Sequence, residues 1–231
     1  PRIVKIMKYS VFRIFPRRVR LVALLVALGL GLVGCKADQV ELQVDATQLR
    51  SAAAGNEVAV EFRAVFTDPR PLSTRQSALV DDVWRVVRDV IDTSGFTRES
   101  ADGGLRVTIE GEIPVRTSPS PDDVYYLSLT ESDAFPGMHR VTLQTAEGFE
   151  ALRQALATVD FELDLAAHHP TVIELSGRAG RLMAPAALID GDAHLAYSAP
   201  LEAPLERPLR IRQSGAVIEQ TGPGFFIRLT D

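Results

Sequence analysis

Strict period-two alternation restricts this chain more than any other feature. Residues 39–45, Gln-Val-Glu-Leu-Gln-Val-Asp, put Val40, Leu42 and Val44 on one face, the pattern of a half-buried strand. Residues 57–67 repeat it through Val58, Val60 and Phe62, less strictly through Val65 and Phe66, before Pro69 and Pro71 end the run. Residues 96–99 and 105–115, around a turn at 101–104, read as a hairpin, and 124–130 and 138–145 as strands joined near Pro136-Gly137. Beyond about residue 160 the helical signal disappears. Short strand candidates at 161–165, 171–175, 182–189, 193–197, 209–212, 216–221 and 225–229 alternate there with Gly, Pro, Asp and Ser, spacing that suits a sandwich or a continued antiparallel sheet.

Three segments break the alternation: a brief helix could form over 46–54 behind Asp45 or Thr47 as cap, and two longer ones carry a helical period. Ser73 with Gln76 forms a capping-box pattern. Behind it Leu79, Val80, Val83, Val86, Val87, Val90 and Ile91 form one apolar stripe, with Trp84 at its edge and Gly95 placed to cap the C-terminus. Valine is a poor helix former, so burial must hold this helix. A shorter helix is predicted over 146–159, with Thr145 as cap and Phe149, Leu152, Leu156 and Val159 at helical spacing, although Gly148 weakens its first turn. The fold expected is therefore α+β: an antiparallel sheet covered by one long and one shorter helix, followed by a mostly β C-terminal half. The units expected are a segment over 39–160 and a β-rich segment over 161–231, within one domain or as two.

Ahead of the first strand stands a different kind of sequence. Residues 2–20 carry Arg2, Lys5, Lys8, Arg13, Arg17, Arg18 and Arg20 with no acid, and 21–33 are apolar without interruption. That run of 13 residues falls short of the roughly 20 that a spanning helix needs, so 1–34 reads as a cleaved secretory signal. Met7, followed by Lys8, would open a more ordinary signal than Pro1. The signal ends in Leu32-Val33-Gly34-Cys35, which holds the one cysteine of the chain. This tetrapeptide resembles the lipobox of bacterial lipoproteins. The resemblance implies cleavage between Gly34 and Cys35, acylation of the Cys35 thiol and often of the new amino group, and a membrane attachment made through those acyl chains. Two or more chains hold a protein stably, at about 0.8 kcal/mol per buried methylene. In the sorting pattern of such lipoproteins an Asp after the Cys retains the protein at the inner membrane; Lys36 stands there instead, which favours the outer membrane, with the protein facing the periplasm. The next residues, 35–38, would form only a short tether. The sequence Cys-Lys-Ala-Asp-Gln-Val-Glu-Leu-Gln-Val also resembles the start of small envelope lipoproteins, a likeness that transfers no activity.

Removing the signal changes the charge. Seven of the 25 basic residues lie in 1–34 and none of the 30 acids does, so the body carries 18 basic against 30 acidic residues, a formal −12. Nucleic acid and anionic head groups are disfavoured as partners of so acidic a surface. With Cys35 acylated no disulfide is possible, and the core alone must hold the domain.

Chemistry-bearing motifs are sparse, and no cofactor is implied. His139, His168, His169 and His194 lack the helical spacing of a zinc site, and the adjacent pair would face opposite ways on a strand; all read as surface or turn residues. Asp190-Gly191-Asp192 lacks the remaining ligands of a calcium loop and reads as a tight turn. Residues 176–180, Ser-Gly-Arg-Ala-Gly, lack the features of a nucleophile elbow or phosphate loop and read as a hairpin turn. Asp122-Asp123 reads as a solvated loop. Arg207, Arg210, Arg212 and Arg228 suit a cross-strand ion-pair face, and Tyr125-Tyr126 and Phe225-Phe226 each turn one ring outward. The expectation is a non-enzymatic, lipid-anchored envelope protein acting as an interaction or assembly module for an envelope protein partner. The alternative is a carrier or sensor of an apolar ligand, held between the valine-rich helix and the sheet, which a deep, open, apolar cavity there would support. A hydrolase would instead need His139, His168 or His194 to meet a carboxylate and a nucleophile in one cleft.

Overall fold

The computed structural model of the chain describes residues 37–68, 74–101, 104–160, 165–203, 205–213 and 224–230. The signal segment, Gly34, Cys35, Lys36, the cap at Ser73 with the side chain of Gln76, Pro69, Pro71, Pro204 and the strand expected over 216–221 lie outside the described residues, as does most of that expected over 161–165.

Strand β1 (Gln39–Asp45) buries Val40, Leu42 and Val44, as its alternation requires. It pairs antiparallel with β2 (Val58–Asp68) and parallel with β7 (Thr171–Ser176). Between β1 and β2 lies helix α1 (Ala46–Ala53), begun by Asp45. The Asp45 carboxylate accepts from Thr47 N–H at 2.7 Å, and Gln48 Oε1 accepts from Asp45 N–H at 2.9 Å, a reciprocal cap that satisfies donors the helix leaves free. Leu49, Ala46 and Ala52 of α1 bury against the strands.

Strand β4 (Gly104–Arg116) pairs with β2 over its length. Its other edge is shared. β3 (Thr93–Ala101) takes it through Gly111, and β5 (Tyr125–Glu131) takes it, in parallel, from Val115. β6 (His139–Thr145) returns antiparallel to β5 through Gly137, whose φ of 75° is the left-handed value glycine tolerates. The strands after residue 160 do not form a second layer. β8 (Arg181–Ile189) gives one edge to β9 (Asp192–Pro200), while its other edge is shared end to end by β10 (Leu209–Gln213) and β11 (Gly224–Arg228). β10 also pairs with β7, and β11 with β6. The ladder therefore runs β10-β7-β1-β2-β4-β5-β6-β11-β8 and back to β10, a closed barrel of nine strands with β3 and β9 attached outside the ring.

The α+β arrangement is overturned by this closure. A sheet that closes on itself buries its own inner face and needs no helical layer. Phe225, Leu42, Leu127, Leu129, Leu175, Ile211 and Ile227 fill the inside with almost no exposure, each contributing about 1.5–3 kcal/mol. The outer face carries charge. Arg63 pairs with Glu41 and Glu110, and Arg210 with Glu41 and Glu174, across β4, β2, β1, β7 and β10.

Helices are few and short. α2 (Thr74–Arg88) and α3 (Glu147–Val159) contact each other and cover the part of the β2–β4 face that continues past the barrel core, where Phe62, Phe66, Val107 and Ile109 meet Val83, Val87, Leu152 and Leu156. Trp84 stacks on Phe96 at 4.5 Å. α2 stops at Arg88, short of the Gly95 predicted to cap it. Pairing with β4 captures 93–101 as strand, and Gly95 sits at a register shift within it, so tertiary pairing overrides the helical period. α3 begins after Ala146 without a side-chain cap. Its Gly148 allows a close approach: a Cβ there would lie 2.7 Å from the Asp123 carbonyl oxygen. No described helix is long and apolar enough to cross a membrane.

Candidate functional site

Between the barrel core, α2 and α3 lies a cavity of ≈190 Å³. Its floor is the inner barrel face, with Leu42, Ala64, Ile113 and Leu143; its walls are Val87, Ile109, Val124, Leu152 and Leu156. Phe62, Phe66 and Tyr125 add aromatic surface, and Val90 and Ile91, just past the end of α2, complete the lining. The cavity arises because the β2–β4 ribbon outruns the barrel, so two short helices must cover a concave face that they do not fill.

One side of the lining is polar and internally satisfied. His169 is 4 % exposed, and its Nδ1 accepts from Ala37 N–H at 2.9 Å. That leaves the ring proton on Nε2, a neutral tautomer whose N–H donates to Tyr125 Oη at 3.1 Å. Tyr125 in turn donates to the Ala166 carbonyl at 3.0 Å. Burial pushes the Tyr125 hydroxyl well above its ordinary 10.0, so it stays a neutral donor. Phe66 meets the His169 ring edge-on at 6.4 Å.

Acids stand at the point where β4 passes from β3 to β5. Ile113 and Pro114 pair with neither strand on that edge. Asp92, Glu112 and Asp122 border the cavity and are exposed, Glu112 also bordering the outer face, and Glu112 N–H donates to the Asp92 carbonyl at 3.0 Å. Asp123 behaves differently from its neighbour. It is 9 % exposed and accepts from Arg116 Nε and Nη2 at 3.0 and 3.1 Å, a bidentate pair that fixes the loop. The hydrogen bonds it donates to Asp123 raise the Arg116 guanidinium above its ordinary value.

A second hollow of ≈360 Å³ lies on the outer face among Glu41, Glu61, Glu110, Glu112, Glu174 and Arg63. It is the charged surface of the barrel wall, and no group of three metal-capable side chains occurs among the described residues.

Several expectations are corrected here. His169, read from sequence as a surface or turn residue, is a buried member of the cavity wall, because the entry to β7 turns it under Ala37. Asp123 is buried and paired rather than solvated. Residues 176–180 do not form a hairpin, since β10 lies between β7 and β8; Ser176 Oγ instead donates to Asp45 at 2.7 Å. Asp190-Gly191 does make a tight turn, with φ of 50° and 101°, and the Asp190 carboxylate accepts from Arg210 N–H and from Arg207. The arginine group forms the ion-pair face expected of it at Arg207 and Arg210. His139 lies on β6, and His194 on β9, packed on Tyr197 at 5.1 Å; the ring places β11 and β8 between those two strands. Gly34 and Cys35 are not among the described residues.

Only part of the cavity wall was signalled in the sequence. The valine stripe marked α2, whereas Phe62, Tyr125 and His169 gave no sign that they shared a wall, because their pairing partners are far apart in the chain. No known protein family, no curated protein and no solved structure matches this chain.

Proposed function

We propose that this is a lipid-anchored, non-catalytic cell-envelope protein that holds a small apolar ligand in the cavity between α2, α3 and the barrel. The cavity itself carries the reading. At ≈190 Å³ it exceeds the about 150 Å³ at which an engineered apolar cavity already takes up benzene. Its walls are apolar at Val87, Ile109, Leu152 and Leu156, so an apolar body seated there leaves water at about 25 cal/mol per Å² of apolar surface.

Attachment is through acyl chains on Cys35 after cleavage at Gly34, and Lys36 directs the protein to the outer membrane, facing the periplasm. Ala37 is 1 % exposed and hydrogen-bonded to His169, which supports a tether too short to let the cavity stray far from the bilayer. The experiment uses the full chain in neutral detergent and a neutral photoreactive alkyl diazirine. Labelling is expected on peptides carrying Val87 and Leu152, and Val87→Trp should remove it while the unfolding midpoint holds. Labelling confined to surface residues, or unchanged by Val87→Trp, would overturn the ligand reading. An uncut, unmodified Cys35 in the mass spectrum would overturn the anchor.

A second reading, an interaction module for an envelope protein partner, draws on one observation. Leu195 is 93 % exposed on β9, whose outer edge pairs with no described strand, and free edges invite strand addition. Under that reading Leu195→Glu abolishes co-purification of a near-stoichiometric partner; an unchanged yield of the partner would count against it.

A further inference from the structure

We propose that the cavity is filled by the protein's own anchor: one acyl chain carried by Cys35 folds back between α2, α3 and the barrel, its body against Val87, Leu152 and Leu156. This rests on the reading of Cys35 as acylated and of the cavity as an apolar ligand site, and it names the ligand.

The place where the described chain starts carries the inference. Ala37 is 1 % exposed, and its N–H donates to His169 Nδ1 at 2.9 Å. The residues after it are fixed on both sides. Asp38 N–H donates to the Val65 carbonyl and Val40 N–H to the Pro170 carbonyl, both at 2.8 Å, and the Asp38 carboxylate accepts from Thr67 Oγ1. The entry to β1 is therefore held between β2 and the approach to β7. The imidazole that holds Ala37 also lines the cavity, as do Val40 and Phe66, and its other ring nitrogen bonds to Tyr125 of the same wall. Cys35 stands two residues before Ala37, and two residues span about 7 Å at most. A fatty acyl chain on Cys35 reaches farther than that, so the cavity lies within its range.

The lining suits such a chain. It holds no arginine and no lysine, and His169 is neutral because its Nδ1 accepts the Ala37 N–H. A free fatty acid would bring a carboxylate that meets no counter-charge, whereas a chain joined through an ester or an amide brings no charge. At ≈190 Å³ the cavity is little larger than the about 150 Å³ that hosts benzene, so it takes a stretch of one chain and no bulky head group. Tethering then favours this occupant over a loose lipid. A group on a short linker has an effective concentration in the millimolar range, and it is present in every copy of the protein. Stable anchoring takes two chains, and acylation of both the thiol and the amino group leaves enough for the bilayer when one chain docks.

The test places the photoreactive group on the anchor itself. The full chain is produced in bacteria fed a fatty acid with a diazirine near its methyl end, purified in neutral detergent, irradiated when dilute, and digested for mass spectrometry. The expected cross-links join the Cys35 peptide to peptides carrying Val87 and Leu152. Val87→Trp should remove them while the unfolding midpoint holds. Inserting about ten Gly and Ser residues between Lys36 and Ala37 keeps the acylation signal and the pinned residues, and should lower the yield about tenfold as the effective concentration falls with linker length. Cross-links confined to detergent or to surface peptides, or a yield unchanged by either alteration, would overturn the assignment of the chain. If the free alkyl diazirine still labels the cavity peptides in that case, the ligand reading stands without it; if neither probe reaches them, both fall. A Cys35 that carries no acyl group would overturn this proposal together with the anchor, and would leave labelling of the cavity by the free probe to decide the ligand reading.

Discussion

Gln213 is the residue whose loss should show most clearly how this barrel closes. β10 ends at Gln213 and β11 begins at Gly224, end to end along one edge of β8. The Gln213 side chain spans that break as a peptide group would. Its Nε2 donates to the Gly224 carbonyl at 2.7 Å and to the Pro185 carbonyl at 3.1 Å, and its Oε1 accepts from Gly224 N–H. The residue is 5 % exposed, so water cannot readily replace it. Gln213→Ala removes three hydrogen bonds worth about 1 kcal/mol each net and leaves three backbone groups short of partners. The expected loss is about 3–5 kcal/mol, which for a chain of this size lowers the melting temperature by roughly 6–20 °C. Gln213→Glu is the sharper variant. It keeps the acceptor for Gly224 N–H but turns a carboxylate oxygen toward two carbonyls, so it should destabilise at least as much at neutral pH. Urea unfolding followed by circular dichroism measures both, with an unchanged m-value expected. A loss below about 1 kcal/mol for Gln213→Ala, or a Gln213→Glu protein as stable as the parent, would refute the view that this amide closes the ring.

Further perturbations test other parts of the fold. Gly111→Ala should prevent stable folding, because the added Cβ would lie 2.1 Å from the Asp92 carbonyl oxygen and 2.9 Å from Phe62 Cε1; soluble yield and unfolding midpoint report it. Asp45→Ala should cost about 1 kcal/mol by removing a helix cap, read as a lower urea midpoint. The hydrogen bonds from Ser176 and Thr47 outweigh burial and hold the Asp45 carboxyl below its ordinary 3.8. The unfolded chain therefore takes up this proton first, so its stabilisation is complete above pH 3.8 and fades as the pH falls below it; Asp45→Asn should flatten that acid limb. Tyr125 and Tyr126 are both raised above 10.0 by burial, with the Asp123 charge adding to the effect on Tyr126. Tyrosinate absorbance should thus lag at pH 10 in the folded chain and jump on unfolding. Stability should fall as the pH climbs past 10.0, since the unfolded state releases these protons first.

Strand positions were largely legible because each depends on local alternation. The turns at Gly137 and Asp190-Gly191, the β3–β4 hairpin and the Asp45 end of α1 all answer to signals within a few residues. The site was not legible in the same way. The valine stripe predicts a covering helix, and Val87 does line the cavity, yet α2 ends at Arg88, short of the stripe's end, because pairing with β4 takes 93–101 as strand. His169 looked like half of a surface pair; only the contact with Ala37, from a strand start far away in sequence, buries it.

By itself the sequence determined which residues face inward on most strands, how acidic the body is, and that no disulfide can staple it. These follow from residue type and short-range period, which the chain carries without folding. Tertiary structure alone decided that the sheet closes. β1 meets β7, β10 meets β8, and β11 meets β6 through registers such as Leu42 with Ile173 and Phe225 with Val141. Backbone hydrogen bonds between strands are nearly blind to side-chain identity, so local alternation can say that a strand has a buried face but not which neighbour will bury it. Closure was chosen by the collective gain of burying one shared interior. The cavity and its neutral histidine exist only where that closure leaves two short helices to cover the end of the β2–β4 ribbon.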